Sequence, residues 1–180
     1  MCSEETRCSL KKLWVESFGD SEEFVDNFFD TFCSSERVLF VEESGRVLSM
    51  LYILPFSMEG KNVGYIYAVA TAQEERGKGF ATFLLRKAIN VAREQGYCAL
   101  VTIPADEGLR LFYSRLGFAG EYHVTFDSPG DFDFGTGESG KDKLMILPLG
   151  NSGFVVKTAE VKLCWNGKAE TIGGMGNKRS

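Results

Sequence analysis

Two glycines and two basic side chains stand together at Arg76-Gly77-Lys78-Gly79. An apolar, strand-like run precedes them, and a helical pattern over residues 80–95 follows. Because Gly77 and Gly79 lack a Cβ, backbone N–H groups can approach an anion closely there. The positive dipole end of the following helix also favours bound phosphate, and Arg76 and Lys78 add positive charge. The spacing therefore predicts a loop that holds the phosphates of a cofactor.

The loop differs from two widespread phosphate-binding fingerprints. The dinucleotide pattern needs a third glycine where this chain has Thr82, and the P-loop needs lysine where Phe80 follows the second glycine. A literal G-x-G-x-x-G occurs at residues 135–140, but a strand-like run over residues 144–147 follows it rather than a helix. We interpret this second copy as a plain flexible loop.

Hydrophobic periodicity predicts the elements that position the loop. Asp20, with Glu23 three residues later, is expected to cap the second helix. Helical spacing predicts helices over residues 10–18, 20–32, 80–95 and 106–116. Alternating or continuous apolar runs predict strands over residues 38–42, 47–55, 65–71, 98–103, 118–126 and 143–147.

Two segments carry a resemblance to a known family. Residues 76–81, after the run over residues 67–71, resemble the acetyl-CoA loop of the GNAT superfamily of N-acetyltransferases. Residues 111–118 are similar to the helix that flanks the cofactor thiol in that superfamily. The resemblance covers about residues 10–147. It implies a mixed α/β fold with a central, mostly antiparallel twisted sheet and helices on both faces.

The resemblance also implies acetyl-CoA as the cofactor and assigns residues to it. Tyr113 would be the general acid that protonates the leaving thiolate. Backbone N–H groups at Ala70 and Thr71, where the strand splays from its neighbour, would polarise the acetyl carbonyl. The chain departs from the family pattern at Glu74 and Asp106, where Gln or Arg and Asn are usual. The expected cofactor-binding residues are Val69, Ala70, Thr71, Arg76, Gly77, Lys78, Gly79, Phe80, Ala81 and Phe112.

The base that would deprotonate the acceptor amine is left open. An unperturbed lysine-type amine has a pKa of about 10.4, so its deprotonation at pH 7 costs about 4.6 kcal/mol. Glu42, Glu43 and Glu59 are candidates by their family-like location, and His123 is the single histidine of the chain. Each of the four is also explained as a solvated or structural side chain.

Two further features leave an alternative open. Phe24, Phe28 and Phe32 recur at helical spacing and are interpreted as core packing, with the wall of an acceptor pocket as the alternative. Residues 127–142 hold five carboxylates, with Phe132 and Phe134 between them. The spacing does not fit a calcium loop, so no metal site is expected. The segment is either a solvated acidic loop or a lid that attracts a cationic acceptor.

The bulk properties fit one globular domain. A length of 180 residues and 44% hydrophobic content allow a sizeable core. We expect a single domain over residues 1–150 and a tail over residues 151–180, whose last residues are disordered. The alternation over residues 159–165, followed by Asn166-Gly167, indicates a β-hairpin. This ribbon could replace the first family strand, for which nine residues before Leu10 leave little room, or it could be an exposed tail.

Charge and cysteine content argue against several classes of partner and site. The net charge of −5 argues against a nucleic-acid partner, and no apolar run reaches the roughly 18 residues that span a membrane. Five scattered cysteines favour neither zinc nor disulfides, so a reducing cytoplasmic location is predicted. We expect an N-acetyltransferase that acts by direct attack of a small-molecule or peptide amine on acetyl-CoA. The alternative is a non-catalytic acyl-CoA-binding or regulatory module of the same fold. A homodimer is left open.

Overall fold

The computed structural model describes residues 3–32, 37–135, 142–150 and 153–167. The α-helices within these residues are α1 (Glu4–Phe18), α2 (Glu22–Phe32), α3 (Phe80–Glu94) and α4 (Glu107–Arg115). The strands are β1 (Val38–Glu43), β2 (Arg46–Met58), β3 (Lys61–Thr71), β4 (Ala99–Thr102), β5 (Ala119–Asp127), β6 (Lys143–Pro148) and β7 (Glu160–Trp165). Short 3-10 turns lie at Gln73–Glu75 and Pro129–Asp131.

The strands form one mixed sheet in the order β1-β2-β3-β4-β6-β5-β7, and β7 also pairs with β2. The pairs β3–β4 and β5–β7 are parallel, whereas β1–β2, β2–β7, β4–β6 and β5–β6 are antiparallel. The predicted mixed α/β fold is confirmed. Among the residues described, α1 is the first element and no strand precedes it.

The chain divides into two compact units. Unit 1 comprises residues 1–54 and 66–91, and unit 2 comprises residues 55–65 and 92–180. In unit 1, the indole of Trp14 packs 4.7 Å from the ring of Phe28 and 5.7 Å from that of Tyr52. Phe28 and Phe32 are both buried, and their rings are 5.5 Å apart. Phe28 and Phe32 thus belong to the core of unit 1, as the helical spacing predicted, whereas Phe24 is only half-buried.

The start of α2 differs from the sequence prediction by one residue. The hydroxyl of Ser21, not the carboxylate of Asp20, accepts a hydrogen bond from the backbone N–H of Phe24, at 3.2 Å. Asp20 instead accepts a 2.8 Å hydrogen bond from Trp14 Nε1. A buried indole N–H needs a hydrogen-bond acceptor. Asp20 therefore accepts the bond from Trp14 of helix α1 and does not cap α2, although the local pattern had predicted that cap.

In unit 2, six strands close into a ring, since β7 pairs with β5 on one side and with β2 on the other. Phe56 of β2 lies opposite Trp165 of β7, and their ring centroids are 5.4 Å apart. The alternation over residues 159–165 therefore forms a paired strand and not an exposed tail. The second half of the predicted hairpin, and the end expected to be disordered, lie outside the described residues.

None of the helices in the described ranges has the length and apolar composition needed to cross a membrane.

Candidate active site

The predicted phosphate loop joins β3 to α3 within unit 1. Gly77 has φ 80° and Gly79 has φ 88°, conformations that side chains with a Cβ rarely adopt. A Cβ built on either glycine would meet no atom within 4 Å. The two residues therefore set the backbone path and leave open space beside it. A pyrophosphate could therefore approach the backbone N–H groups of this loop.

The N-terminus of α3 faces the same loop. The carbonyl of Gly79 accepts the first helical hydrogen bond, from Phe83 N at 2.9 Å. The N–H groups of the first turn have no acceptor within their own helix, and they carry the positive end of its dipole. Phe80 and Ala81 begin the helix and are half-buried. The loop and the helix end together fit a phosphate ligand through backbone donors.

Basic side chains at the loop are partly engaged. Lys78 Nζ lies 2.7 Å from Glu75 Oε2, and Arg76 Nε donates to the carbonyl of Thr71 at 3.2 Å. Glu74, where the family pattern differs, forms an ion pair with Arg46. The backbone N–H of Glu74 and then the hydrogen bond from Arg46 lower the pKa of this carboxyl. Arg46 thus offsets the negative charge that Glu74 brings to the loop, a pairing across 28 positions that no local pattern signals.

The end of β3 is distorted where the acetyl group was expected. Ala68 has φ 49°, which is unusual for a residue with a Cβ and is found at strained functional backbone. Two residues later, the carbonyl of Ala70 accepts a 3.0 Å hydrogen bond from the buried hydroxyl of Ser49. Ser49 also lies 2.9 Å from Thr71 Oγ1. Ser49 holds the strand beyond the distortion, and sequence reasoning missed it.

Tyr113 lies on α4 inside unit 2. Its side chain is 4% exposed and hydrogen-bonded to that of Thr102, at the end of β4. The rings of Phe112 and Phe118 lie 5.4 Å and 5.5 Å from its ring. Burial raises the pKa of Tyr113 to about 12, although the bond with Thr102 acts in the opposite direction. The phenol is therefore neutral at physiological pH and can donate a hydrogen bond.

The two signatures belong to different units. The residues from Val69 to Ala81 are part of unit 1, and Phe112 and Tyr113 are part of unit 2. Asp106, the second departure from the family pattern, caps α4 by accepting a 2.8 Å hydrogen bond from Leu109 N.

The candidate bases are all exposed. Glu42 accepts a 3.4 Å hydrogen bond from Thr6 Oγ1, Glu43 is the last residue of β1, and Glu59 lies in the turn between β2 and β3. His123 Nε2 lies 2.7 Å from Lys143 Nζ on the neighbouring strand. These local contacts explain Glu42 and His123 without a catalytic role, and the base stays unassigned.

The acidic segment is partly built into the core of unit 2. Phe134 is 1% exposed, its ring lies 5.3 Å from that of Phe56, and its carbonyl accepts a 2.8 Å hydrogen bond from the Tyr65 hydroxyl. Asp133 Oδ1 accepts from the backbone of Gly135 at 2.8 Å. Phe134 is thus a core side chain, not the cover of a lid. Glu138, the side chain of Asp131 and most of the second glycine motif lie outside the described residues.

Metal ligands are not gathered anywhere in residues 3–32, 37–135, 142–150 and 153–167, where no group of three or more His, Cys, Asp or Glu could hold an ion.

Sequence comparison identifies a family for the chain. The sequence model of the Acetyltransferase (GNAT) family matches residues 4–118. This range includes the glycine loop, Phe112 and Tyr113, and it ends before β5. A search of curated proteins finds no match.

Several solved structures share the fold. The GNAT family N-acetyltransferase YhbS of Escherichia coli, in complex with CoA, has a TM-score of 0.65 and 17% identity, covering 94% of this chain and 89% of its own. A GNAT family acetyltransferase of Elizabethkingia anophelis with acetyl-CoA bound has a TM-score of 0.54 and 17% identity, covering 77% of this chain and 89% of its own. A GCN5-related N-acetyltransferase of Kribbella flavida has a TM-score of 0.55 and 23% identity over 68% of this chain, which spans only 34% of that protein.

Proposed function

Because the chain belongs to the GNAT acetyltransferase family, we propose that it transfers the acetyl group of acetyl-CoA to the primary amine of a small-molecule or peptide acceptor. The observation that carries this proposal is the open space beside Gly77 and Gly79 in front of the α3 N-terminus. Two proteins of the same fold, from Escherichia coli and Elizabethkingia anophelis, hold CoA and acetyl-CoA, which supports the same cofactor here.

In the proposed reaction, the backbone donors of residues 77–81 bind the pyrophosphate and Arg76 adds charge. The thioester supplies an activated acetyl group. Backbone N–H groups after the distortion at Ala68 polarise its carbonyl, so that charge developing on the oxygen is stabilised. The neutral acceptor amine attacks, a C–N bond forms and the C–S bond breaks. The amine loses its surplus proton to a base, and the departing sulfur receives one.

We assign the donation to sulfur to Tyr113, which is neutral at physiological pH. Transfer from a phenol of pKa about 12 to a thiolate of pKa about 8.5 is uphill by about 5 kcal/mol. Tyr113 therefore contributes first as a hydrogen-bond donor to the developing thiolate, and full transfer requires the pKa of the phenol to fall when the cofactor is bound. Because the side chain of Tyr113 is only 4% exposed, the sulfur of the cofactor must contact the hydroxyl itself, without a bridging solvent molecule.

A second function is favoured by the same residue. A tyrosine hydroxyl that is already bonded to Thr102, together with candidate bases that are all exposed, suits a module that binds acyl-CoA without turning it over. Such a module would bind acyl-CoA at the glycine loop but would not transfer the acyl group to an amine.

Release of free CoA thiol from acetyl-CoA, measured over a panel of primary amines and amino-terminal peptides, separates the two functions. Thiol release that depends on the amine, with the acetylated amine detected by mass spectrometry, supports the transferase. Calorimetric binding of CoA without turnover of any amine would favour the binding module. An absence of CoA binding would overturn both.

A further inference from the structure

Phe83 is a large aromatic side chain that the protein leaves in solvent. It is 58% exposed, more than Phe18 at 46%. The ring of Phe18 packs 5.7 Å from that of Trp14, whereas no aromatic ring in the described part of the chain contacts Phe83. The buried face of α3 is formed by other residues, namely Leu84, Leu85, Ala88 and Ala92. Folding of unit 1 therefore does not explain a phenyl ring at this position.

The position of Phe83 in the helix relates it to the phosphate loop. It is the fourth residue of α3, and its N–H donates to the carbonyl of Gly79. Helical side chains lean toward the N-terminus of their helix, so this ring lies over the first turn. The same turn supplies the N–H groups that would bind pyrophosphate. An exposed aromatic face thus stands one helical turn from the phosphate site.

The charge of the surrounding surface suits a nucleotide. The helix carries Arg86, Lys87 and Arg93 and one acidic residue, Glu94, in a chain whose net charge is −5. Arg86 and Lys87 are exposed and follow Phe83 by three and four positions, the spacing that places side chains on one side of a helix. An aromatic ring beside two cations fits a ligand that is both planar and anionic.

We infer that Phe83 is the platform on which the adenine ring of bound CoA stacks. The inference rests on the proposed cofactor site, because the adenosine of CoA is joined directly to the pyrophosphate that the glycine loop would hold. Stacking of a base on an exposed aromatic ring is favourable without any hydrogen-bond readout. Phe83 would therefore add affinity and select the nucleotide-bearing cofactor over acyl carriers that end at the phosphate.

The test compares CoA with 4′-phosphopantetheine, which lacks the 3′-phosphoadenosine and the second phosphate of the pyrophosphate, by isothermal titration calorimetry. Phe83→Ala should weaken CoA binding by about tenfold or more, within the range for base–aromatic stacking, and leave phosphopantetheine affinity unchanged. Phe18→Ala, which removes another exposed phenyl ring, should change neither affinity. Phe83→Trp should restore CoA affinity, and its indole fluorescence should be quenched by CoA but not by phosphopantetheine.

The outcomes distinguish this inference from the proposed function. If the parent protein binds CoA, and Phe83→Ala either keeps full CoA affinity or loses affinity for both ligands equally, the stacking role is overturned and the cofactor assignment stands. A parent protein that binds neither ligand would overturn the cofactor site and, with it, the role of Phe83.

Discussion

The side chains of Tyr113 and Thr102 are hydrogen-bonded to each other inside unit 2, where they are 4% and 2% exposed. The bond connects α4 to the last residue of β4. A buried hydroxyl pair of this kind fixes the rotamer of the phenol and keeps it neutral, because the phenolate would lose its hydration.

If Tyr113 donates to the leaving thiolate, Tyr113→Phe should lower kcat by about 100-fold, the low end for acid–base catalysis. The KM for acetyl-CoA should stay unchanged, because the donation matters only in the transition state. Steady-state kinetics over a range of pH values would measure both. Tyr122→Phe makes the same change at a half-buried tyrosine of β5 and should leave kcat alone. Equal kcat in Tyr113→Phe and the parent would make Tyr113 a core aromatic.

The raised pKa of Tyr113 also predicts a pH dependence of stability. The folded pKa of about 12 lies above the unfolded value of about 10, so folding favours the neutral phenol. The contribution of the buried, neutral Tyr113 to the free energy of unfolding is complete below pH of about 10. It is lost as pH rises through about 12, and its size is on the order of 3 kcal/mol. Urea unfolding at about pH 9 and about pH 11.5 should show a smaller loss for Tyr113→Phe than for the parent. Parallel losses in the two proteins would contradict the shift.

The glycine loop gives a prediction about affinity. Gly77→Val should weaken CoA binding by about 100-fold, because the side chain fills the open space beside the loop and the backbone leaves φ 80°. Arg76→Ala should cost less than about fivefold, since an exposed charge contributes little by itself. Calorimetry with CoA measures both effects.

Gly45→Val is the matched control for that experiment. Gly45 has φ 78° in the β1–β2 turn, and a Cβ there also meets nothing within 4 Å. The two valine variants therefore carry a similar backbone strain, and only the loop variant should lose affinity. Equal affinities in the two variants would remove the loop from the cofactor site.

The pairing of β7 on both sides predicts that substitutions of its buried residues lower the free energy of unfolding. Leu163 is fully buried, pairs with Met58 of β2 and lies opposite Phe126 of β5. Leu163→Ala should lower the free energy of unfolding by about 2–5 kcal/mol, as for other buried leucines. Lys162→Ala, at the exposed neighbour whose ion pair with Asp127 is open to solvent, should cost less than about 1 kcal/mol. Urea denaturation compares the two variants, and similar small losses would mean that β7 adds little to unit 2.

Structural features that depend only on neighbouring residues were predictable from the sequence. The long helix α3 and strand β4 lie within one residue of their expected ends, because hydrophobic periodicity and the flanking glycine and proline are local signals. The glycines of the phosphate loop were also predictable, since positive φ is a property of the single residue.

Contacts between distant segments were not predictable in this way. The pairing of Arg46 with Glu74 and the support that Ser49 gives to Ala70 join residues more than twenty positions apart. Alternation identified β7 as a strand but not its two partners, because pairing depends on which sheet edges are free. For a similar reason, Asp20 bonds to Trp14 instead of capping α2, because a tertiary hydrogen bond outweighs the local capping preference.

The closed ring of unit 2 has a consequence for how the protein meets other copies of itself. Within unit 2, the strands of the ring pair with a neighbour on both sides, so this part of the sheet offers no full-length strand edge on which a foreign strand could grow. Among the strands that the structure describes, β1 pairs on one side only, and residues 66–71 of β3 extend beyond their pairing with β4. Strand β1 is six residues long and ends in the exposed carboxylates of Glu42 and Glu43. At β1, short length and like charge oppose edge-to-edge pairing of identical copies, so these two acids protect that edge against β-type aggregation.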